Sequence, residues 1–304
     1  MSNLILTTDS RPEASEFCNA ILPHSRFEEG LMAINQVHKT LNRTCKGLLI
    51  VGPSGTGKTK LIETYADKQN GPSLGPRDAK KVVIIDVFAS SSVDLLYQSI
   101  LDALGDPEPA KGRTGAKFHR IQVLMKKLGV ELLIFDEIHN LLPVNAGAST
   151  VKIANTIKTL MNVLKVPMIL AGENDSIYLR SDHAAIAGRF PSTFKLGTLS
   201  CKPKEIERFR EYMVGLHSLI TVPCINLHTD EMLYRFYLAT AGKSREIGEL
   251  ITKAIEFTPP GKAIELVHFR KSFKMVDCTP LGELDYNPFG ITASRLESEM
   301  REYL

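Results

Sequence analysis

The chain has 304 residues, 43% hydrophobic and 23% charged, with a formal net charge of +3. No run approaches the roughly 18 apolar residues that span a bilayer, which excludes an integral membrane protein of the helical kind. Five cysteines, at 18, 45, 201, 224 and 278, form no C-x-x-C pair, so neither a cysteine metal site nor a disulfide framework is indicated.

A reducing cytoplasm is the expected compartment. The charge is unevenly spread. Residues 1–30 carry net −3 and residues 277–304 net −4, which leaves +10 between them. A basic middle with acidic ends suits a polyanionic partner, with solvated surface charge as the plain alternative.

Along the chain, the first 30 residues read as an irregular segment with prolines at 12 and 23 and without the basic leader of a signal peptide. Residues 28–43 have helical spacing, with Leu31, Ile34, Val37, His38 and Leu41 on one side. Short apolar runs then alternate with helical patterns. Strands are expected at 46–51, 81–87, 131–137, 166–172 and 193–199. Helices are expected at about 57–68, at 92–104 with Ser91 or Ser92 as N-cap, at 115–129 closed by Gly129, and at 149–165.

Near-continuous apolar strands separated by helices predict an α/β fold, a parallel sheet sandwiched by helices. After residue 200 the pattern turns purely helical to about 258. The Pro/Gly-punctuated acidic tail from 277 carries a last helix at 292–303 and reads as a partner-binding peptide or as disorder. The expected division is an N-terminal segment and helix (1–45), an α/β core (46–200), a helical lid with a following helix (201–276) and the tail (277–304).

The chemistry begins at "GPSGTGKTK", residues 52–60. Gly52, Pro53, Ser54, Gly55, Thr56, Gly57, Lys58, Thr59 and Lys60 follow a strand and open a helix, which is the context a phosphate-binding loop requires. Its glycines let backbone N–H groups curl around a phosphate, and the helix N-terminus adds positive potential. Lys58 would reach the β- and γ-phosphates of ATP, and the Thr59 hydroxyl would bind Mg²⁺. "LLIFDEIH" (132–139) then ends a buried strand on two carboxylates, which needs a functional reason because burying charge is expensive. Asp136 would hold Mg²⁺ and Glu137 would polarise the attacking water, a pair suited to hydrolysis. D-E-I-H also resembles a helicase box, but too little chain follows the sheet for the second domain such helicases need.

Between the second and third strands lie Lys111, Arg113, Lys117, Arg120, Lys126 and Lys127, and a second small-residue loop (145–152) carries Lys152. Lys111, Arg113, Lys117, Arg120 and Lys152 are candidate DNA-phosphate contacts; solvated loops are the alternative. No aromatic interleaving suggests a stacking site for single strands.

Further features are similar to the AAA+ class. By that resemblance Asn174, or Glu173 beside it, would be a sensor at the end of the strand "VPMILAG", unless Asn174 or Asp175 simply caps the next helix. Arg189 in "AIAGRF" would be a finger reaching a neighbouring subunit's nucleotide, unless it forms a surface salt bridge. Arg245 in "SREIGELI" would be a second sensor, unless it only decorates a helix that Ser244 caps.

"LLIVGPSGTGKT", "LLIFDEIHNLL", "VPMILAGENDSIYLRSD…GRF" and "SREIGELI" together resemble the TniB/TnsC-type ATPases of Tn7-like and mercury-resistance transposons, cousins of MuB, over about residues 25–258. The D-E-x-H-N-x-L signature and the I-G-E-L run are its more specific elements. Relatives commonly have Gly-Thr where this chain has Gly172-Glu173. The resemblance implies an AAA+ regulator of DNA transposition. It would form a homo-oligomeric ring or helical filament on double-stranded DNA, recruit a DDE transposase and a TniQ-type target selector, and disassemble on ATP hydrolysis. The alternatives are a helicase loader, a replication initiator, or a STAND-type signalling ATPase.

Overall fold

The computed structural model describes residues 11–20, 24–72, 79–87, 92–141 and 147–304, with the backbone alone for 147–149. The candidate cap Ser91 and the start of the 145–152 loop lie outside the described residues. The chain divides into two units, Arg26–Gly197 and Met1–Ser25 joined by Thr198–Leu304.

In chain order, α1 (Pro12–Asn19) belongs to the second of these units, and α2 (Ser25–His38) opens the first. The first unit continues through β1 (Gly47–Val51), α3 (Lys58–Asn70), β2 (Val82–Asp86), α4 (Val93–Ala103), α5 (Thr114–Leu128), β3 (Leu132–Asp136), α6 (Gly147–Leu164), β4 (Met168–Gly172), α7 (Tyr178–Asp182), α8 (Ala184–Ala187) and β5 (Ser192–Lys195). The five strands are parallel, in the order β2-β3-β4-β1-β5.

The apolar strands explain the layering. Successive residues of a strand point to opposite faces. Leu49, Leu133, Phe135, Met168 and Leu170 therefore join one core with residues of α4, α5 and α6. Leu48, Ile50, Leu132, Ile134, Ile169 and Ala171 join the other, with residues of α2 and α3. A sheet buried on both faces needs apolar residues at every position, which is why these strands read as unbroken runs. Burying each such side chain contributes ~2 kcal/mol.

Two of the boundaries that differ from expectation are these. The helix expected over 28–43 ends at His38, and the following turn places Asn42 in the left-handed region at φ +62°. The fifth strand ends at Lys195, after which the Leu196 N–H donates to Val51 O at 2.8 Å. Ser92 occupies the N-cap position of α4 without a side-chain capping bond. None of the helices among the described residues is long and apolar enough to cross a membrane.

The second unit is helical, with α9 (Ile206–Ser218), α10 (Asp230–Thr240), α11 (Ser244–Phe257), α12 (Leu266–Ser272) and α13 (Ala293–Met300). Ala14 and Phe17 of α1 join its core, and the Arg11 guanidinium donates to Ile255 O at 3.1 Å and to Thr258 O. The acidic C-terminal segment, read as a partner-binding peptide or as disorder with a last helix at 292–303, contributes α13 and three residues to that core. Phe289 is buried against Phe236, Phe269 and Phe273, and Leu296 and Met300 are buried with it. Polar punctuation hid these three anchors in the sequence.

Arg235 ties the segment down. Its side chain is 2% exposed and donates to Pro288 O (2.5 Å), Ile291 O (3.0 Å) and Glu231 Oε1 (2.7 Å). Arg235→Ala leaves two carbonyls without their donor, and should lower the unfolding free energy by about 3 kcal/mol. Chemical denaturation reads this directly; an unchanged midpoint would mean the carbonyls find other partners.

Candidate nucleotide site and basic surfaces

The sheet order brings the candidate residues together. β4 lies between β3 and β1, so the segments leaving the C-terminal ends of these three strands are neighbours. In open parallel sheets, ligands bind in the crevice outside those ends.

The loop after β1 fits its expected role by shape. A Cβ on Gly52 would stand 1.9 Å from Leu196 O, so this position admits no side chain. Gly57, with φ +91°, is the N-cap of α3 and turns the chain into the helix with its N–H groups facing outward. Lys58 is buried, and its Nζ donates to Gly52 O (2.8 Å) and Pro53 O (3.0 Å). Thr56 Oγ1 donates to Pro53 O at 2.9 Å and stiffens the same turn. Ser54 and Lys60 are exposed at the rim.

The acid pair meets this loop. Asp136 is 2% exposed, and its Oδ2 accepts from Thr59 Oγ1 at 2.8 Å. Its Oδ1 accepts from the Glu137 N–H at 2.9 Å, so both carboxylate oxygens are engaged. Glu137 takes a left-handed backbone, φ +52°, at the point where the strand ends, and its side chain is half-exposed. A hydroxyl and a carboxylate oxygen held this close suit a hard divalent cation such as Mg²⁺.

Gly52 N–H donates to Gly172 O at 3.3 Å, which couples the end of β4 to the loop. Beyond Gly172 the chain makes a 3-10 turn over Asn174–Ile177, with Glu173 as its N-cap and no side-chain capping bond. Asn174 is exposed on that turn, and the N-cap position of α7 is Ile177, so neither Asn174 nor Asp175 caps that helix.

Arg189 lies elsewhere. Its carbonyl accepts from Gly47 N–H at 2.7 Å, at the start of β1, whereas the phosphate loop leaves the end of β1. Five residues of strand, about 16 Å, separate the two ends. Among the described residues no carboxylate lies within ion-pair distance of Arg189, so the salt-bridge alternative finds no partner there. Arg180, from the same passage, donates to Thr193 Oγ1 at 2.8 Å and braces β5. Arg245 is exposed on the first turn of α11 in the helical unit. Ser244 follows the N-cap, which is Lys243.

The basic residues separate into two groups. Lys111, Arg113 and Lys152 are exposed, although Lys111 also pairs with Glu108 at 3.0 Å. Lys117, expected as a phosphate contact, is 2% exposed with its Nζ 2.6 Å from Asp94 Oδ2. It staples α5 to α4, and its hydrogen bond holds the Asp94 carboxyl below the usual carboxylate range. Arg120 pairs with Asp106 at 2.9 Å and donates to Lys111 O and Glu108 O, bracing the loop from inside. Sequence spacing counted these two cations without showing the acids that claim them.

One neighbour of Glu137 had no expected role. His139 Nδ1 stands 3.2 Å from Glu137 Oε2. The D-E-x-H spacing was the signal, since one 3-10 turn carries the histidine back beside the glutamate.

Comparison with known proteins bears on the family and the fold. Residues 13–197 match the family model described as bacterial TniB protein. A comparison with curated proteins returned no match. Among solved structures, the chain is similar to the Aeropyrum pernix ORC1 protein in complex with DNA (TM-score 0.63, 16% identity, 86% of this chain and 69% of that one). It is similar also to Cdc6p from Pyrobaculum aerophilum (0.60, 16%, 86% and 70%) and to the RuvB Holliday junction branch migration motor of Thermotoga maritima (0.50, 14%, 94% and 80%). At these identities the likeness is one of fold, that of AAA+ P-loop ATPases with a helical C-terminal region. The phosphate loop, the acid pair and the strand order all fall inside the matched region: the chain belongs to the bacterial TniB family and has the AAA+ fold.

Proposed function

We propose that this chain is an ATP-dependent regulator of DNA transposition that assembles as a homo-oligomer on double-stranded DNA and leaves it when ATP is hydrolysed. The observation that carries the reading is a phosphate loop joined to Asp136 and Glu137 within the segment matched to TniB.

In this reading the N–H groups of residues 52–59 and the Lys58 ammonium bind the triphosphate, with Lys58 exchanging its loop carbonyls for phosphate oxygens. Thr59 and Asp136 hold Mg²⁺, which supplies charge neutralisation on the phosphates. Glu137 accepts the proton of the attacking water, and Asn174 orients that water. Arg245 reports nucleotide state to the helical unit. Arg189, remote from its own loop, supplies charge to the site of a neighbouring subunit.

Exposed Lys111, Arg113 and Lys152 contact DNA phosphates without reading bases. The relative solved with DNA supports nucleic acid as the polyanion. A DDE transposase and a TniQ-type selector are the partners family membership suggests.

Electron microscopy with a non-hydrolysable ATP analogue should show rings or filaments that form on duplex DNA. Particles that stay monomeric with analogue and DNA together would sink the proposal.

A further inference from the structure

His139 sits on a turn built to hold it still. Ile138–Leu141 is a single 3-10 turn whose ends, Ile138 and Leu141, are 0% and 1% exposed. Asn140, the other polar residue, donates through Nδ2 to Val87 O at 3.3 Å, and its N–H donates to Glu137 O at 2.9 Å. Two buried anchors and two hydrogen bonds therefore fix the backbone that carries the imidazole.

The ring is aimed at one group. Nδ1 is shut off from solvent and lies 3.2 Å from Glu137 Oε2, without an aligned hydrogen-bond partner among the described residues. A buried polar atom without a partner is rare and asks for a reason. Contacts that serve a reaction are commonly long or misaligned before the substrate arrives, and tighten when it does. Glu137 is itself under backbone constraint, held at φ +52° with its N–H given to Asp136. Its side chain is 44% exposed, so the fold alone does not fix the carboxylate's direction.

We propose that His139 is the positioning residue of Glu137. With Nδ1 protonated, the imidazole donates to Oε2 and leaves Oε1 turned toward the water to be activated. The inference rests on the hydrolytic role proposed for Glu137 above. The histidine takes no part in proton transfer; it fixes which oxygen faces the reaction and removes carboxylate rotamers that point to solvent.

The test compares steady-state ATP turnover of the full chain with that of H139L, H139N, H139Q and E137Q, measured with duplex DNA present. An asparagine amide can stand where Nδ1 stands, whereas a glutamine amide reaches the place of Nε2. H139L and H139Q should lower kcat by about tenfold or more and leave the KM for ATP within about twofold, and H139N should recover most of the loss. H139L at or above the wild-type kcat, or equal losses in H139N and H139Q, would overturn the inference. The polar pair carries the comparison if H139L does not fold. If E137Q turns over ATP at the wild-type rate, the hydrolytic reading of Glu137 falls; if E137Q stops turnover while H139L does not, only the role of His139 falls.

Discussion

Glu137→Gln should cut ATP turnover by ~10²-fold or more, the range over which general bases contribute. ATP affinity should hardly change, because Lys58, Thr59 and Asp136 keep their places without the glutamate's charge. The amide is isosteric, and glutamine meets the same left-handed backbone demand at φ +52°, so stability should stay near wild type. Asp136→Asn makes the useful contrast. It alters the carboxylate that accepts from Thr59, and it should weaken nucleotide binding as well as turnover. In the proposed cycle, E137Q would also stay on DNA longer than wild type when ATP is supplied. Single-turnover assays and filter binding on the same preparation separate these effects. Turnover near the wild-type rate would remove Glu137 from the chemistry.

Arg189→Ala should abolish turnover by ~10³-fold if the guanidinium acts as a finger. Loss alone says little, since many arginines matter for folding. The placement of Arg189 at the far end of β1 from the phosphate loop supplies a sharper test. An R189A subunit keeps an intact phosphate loop, and a K58A subunit keeps an intact arginine. Each should be inactive alone, while a mixture on DNA should recover activity well above either, because some junctions combine the sound half of each. A mixture as dead as its components would exclude action between subunits.

Much of the α/β unit was legible because its strands are buried on both faces. Runs such as Leu132–Phe135 admit no polar residue, and glycine and lysine at 57 and 58 mark where the phosphate loop gives way to a helix. What local pattern could not show was long-range pairing. The Lys117 ammonium looks free until α4 brings Asp94 to it. Residues 11–20 look like a preface to the α/β unit, yet Ala14 and Phe17 pack with the helical unit formed by the other end of the chain. The C-terminal segment looked solvated because Phe289, Leu296 and Met300 are spaced among acids, and only the carbonyl contacts of Arg235 reveal how it is anchored. In the site, the residue types were readable one by one; the meeting of Glu137 with His139 depends on a left-handed residue and a 3-10 turn that no residue type announces.

The separation of Arg189 from the phosphate loop has a consequence for any assembly in which the arginine acts on a neighbour. Such a junction is head-to-tail, and an open array built from it has two unlike ends. At one end a loaded nucleotide waits without a guanidinium; at the other an arginine has nothing to act on. The terminal subunit lacking its neighbour would hydrolyse last, and an array would therefore shorten with a direction, keeping one boundary on the DNA while the rest is released.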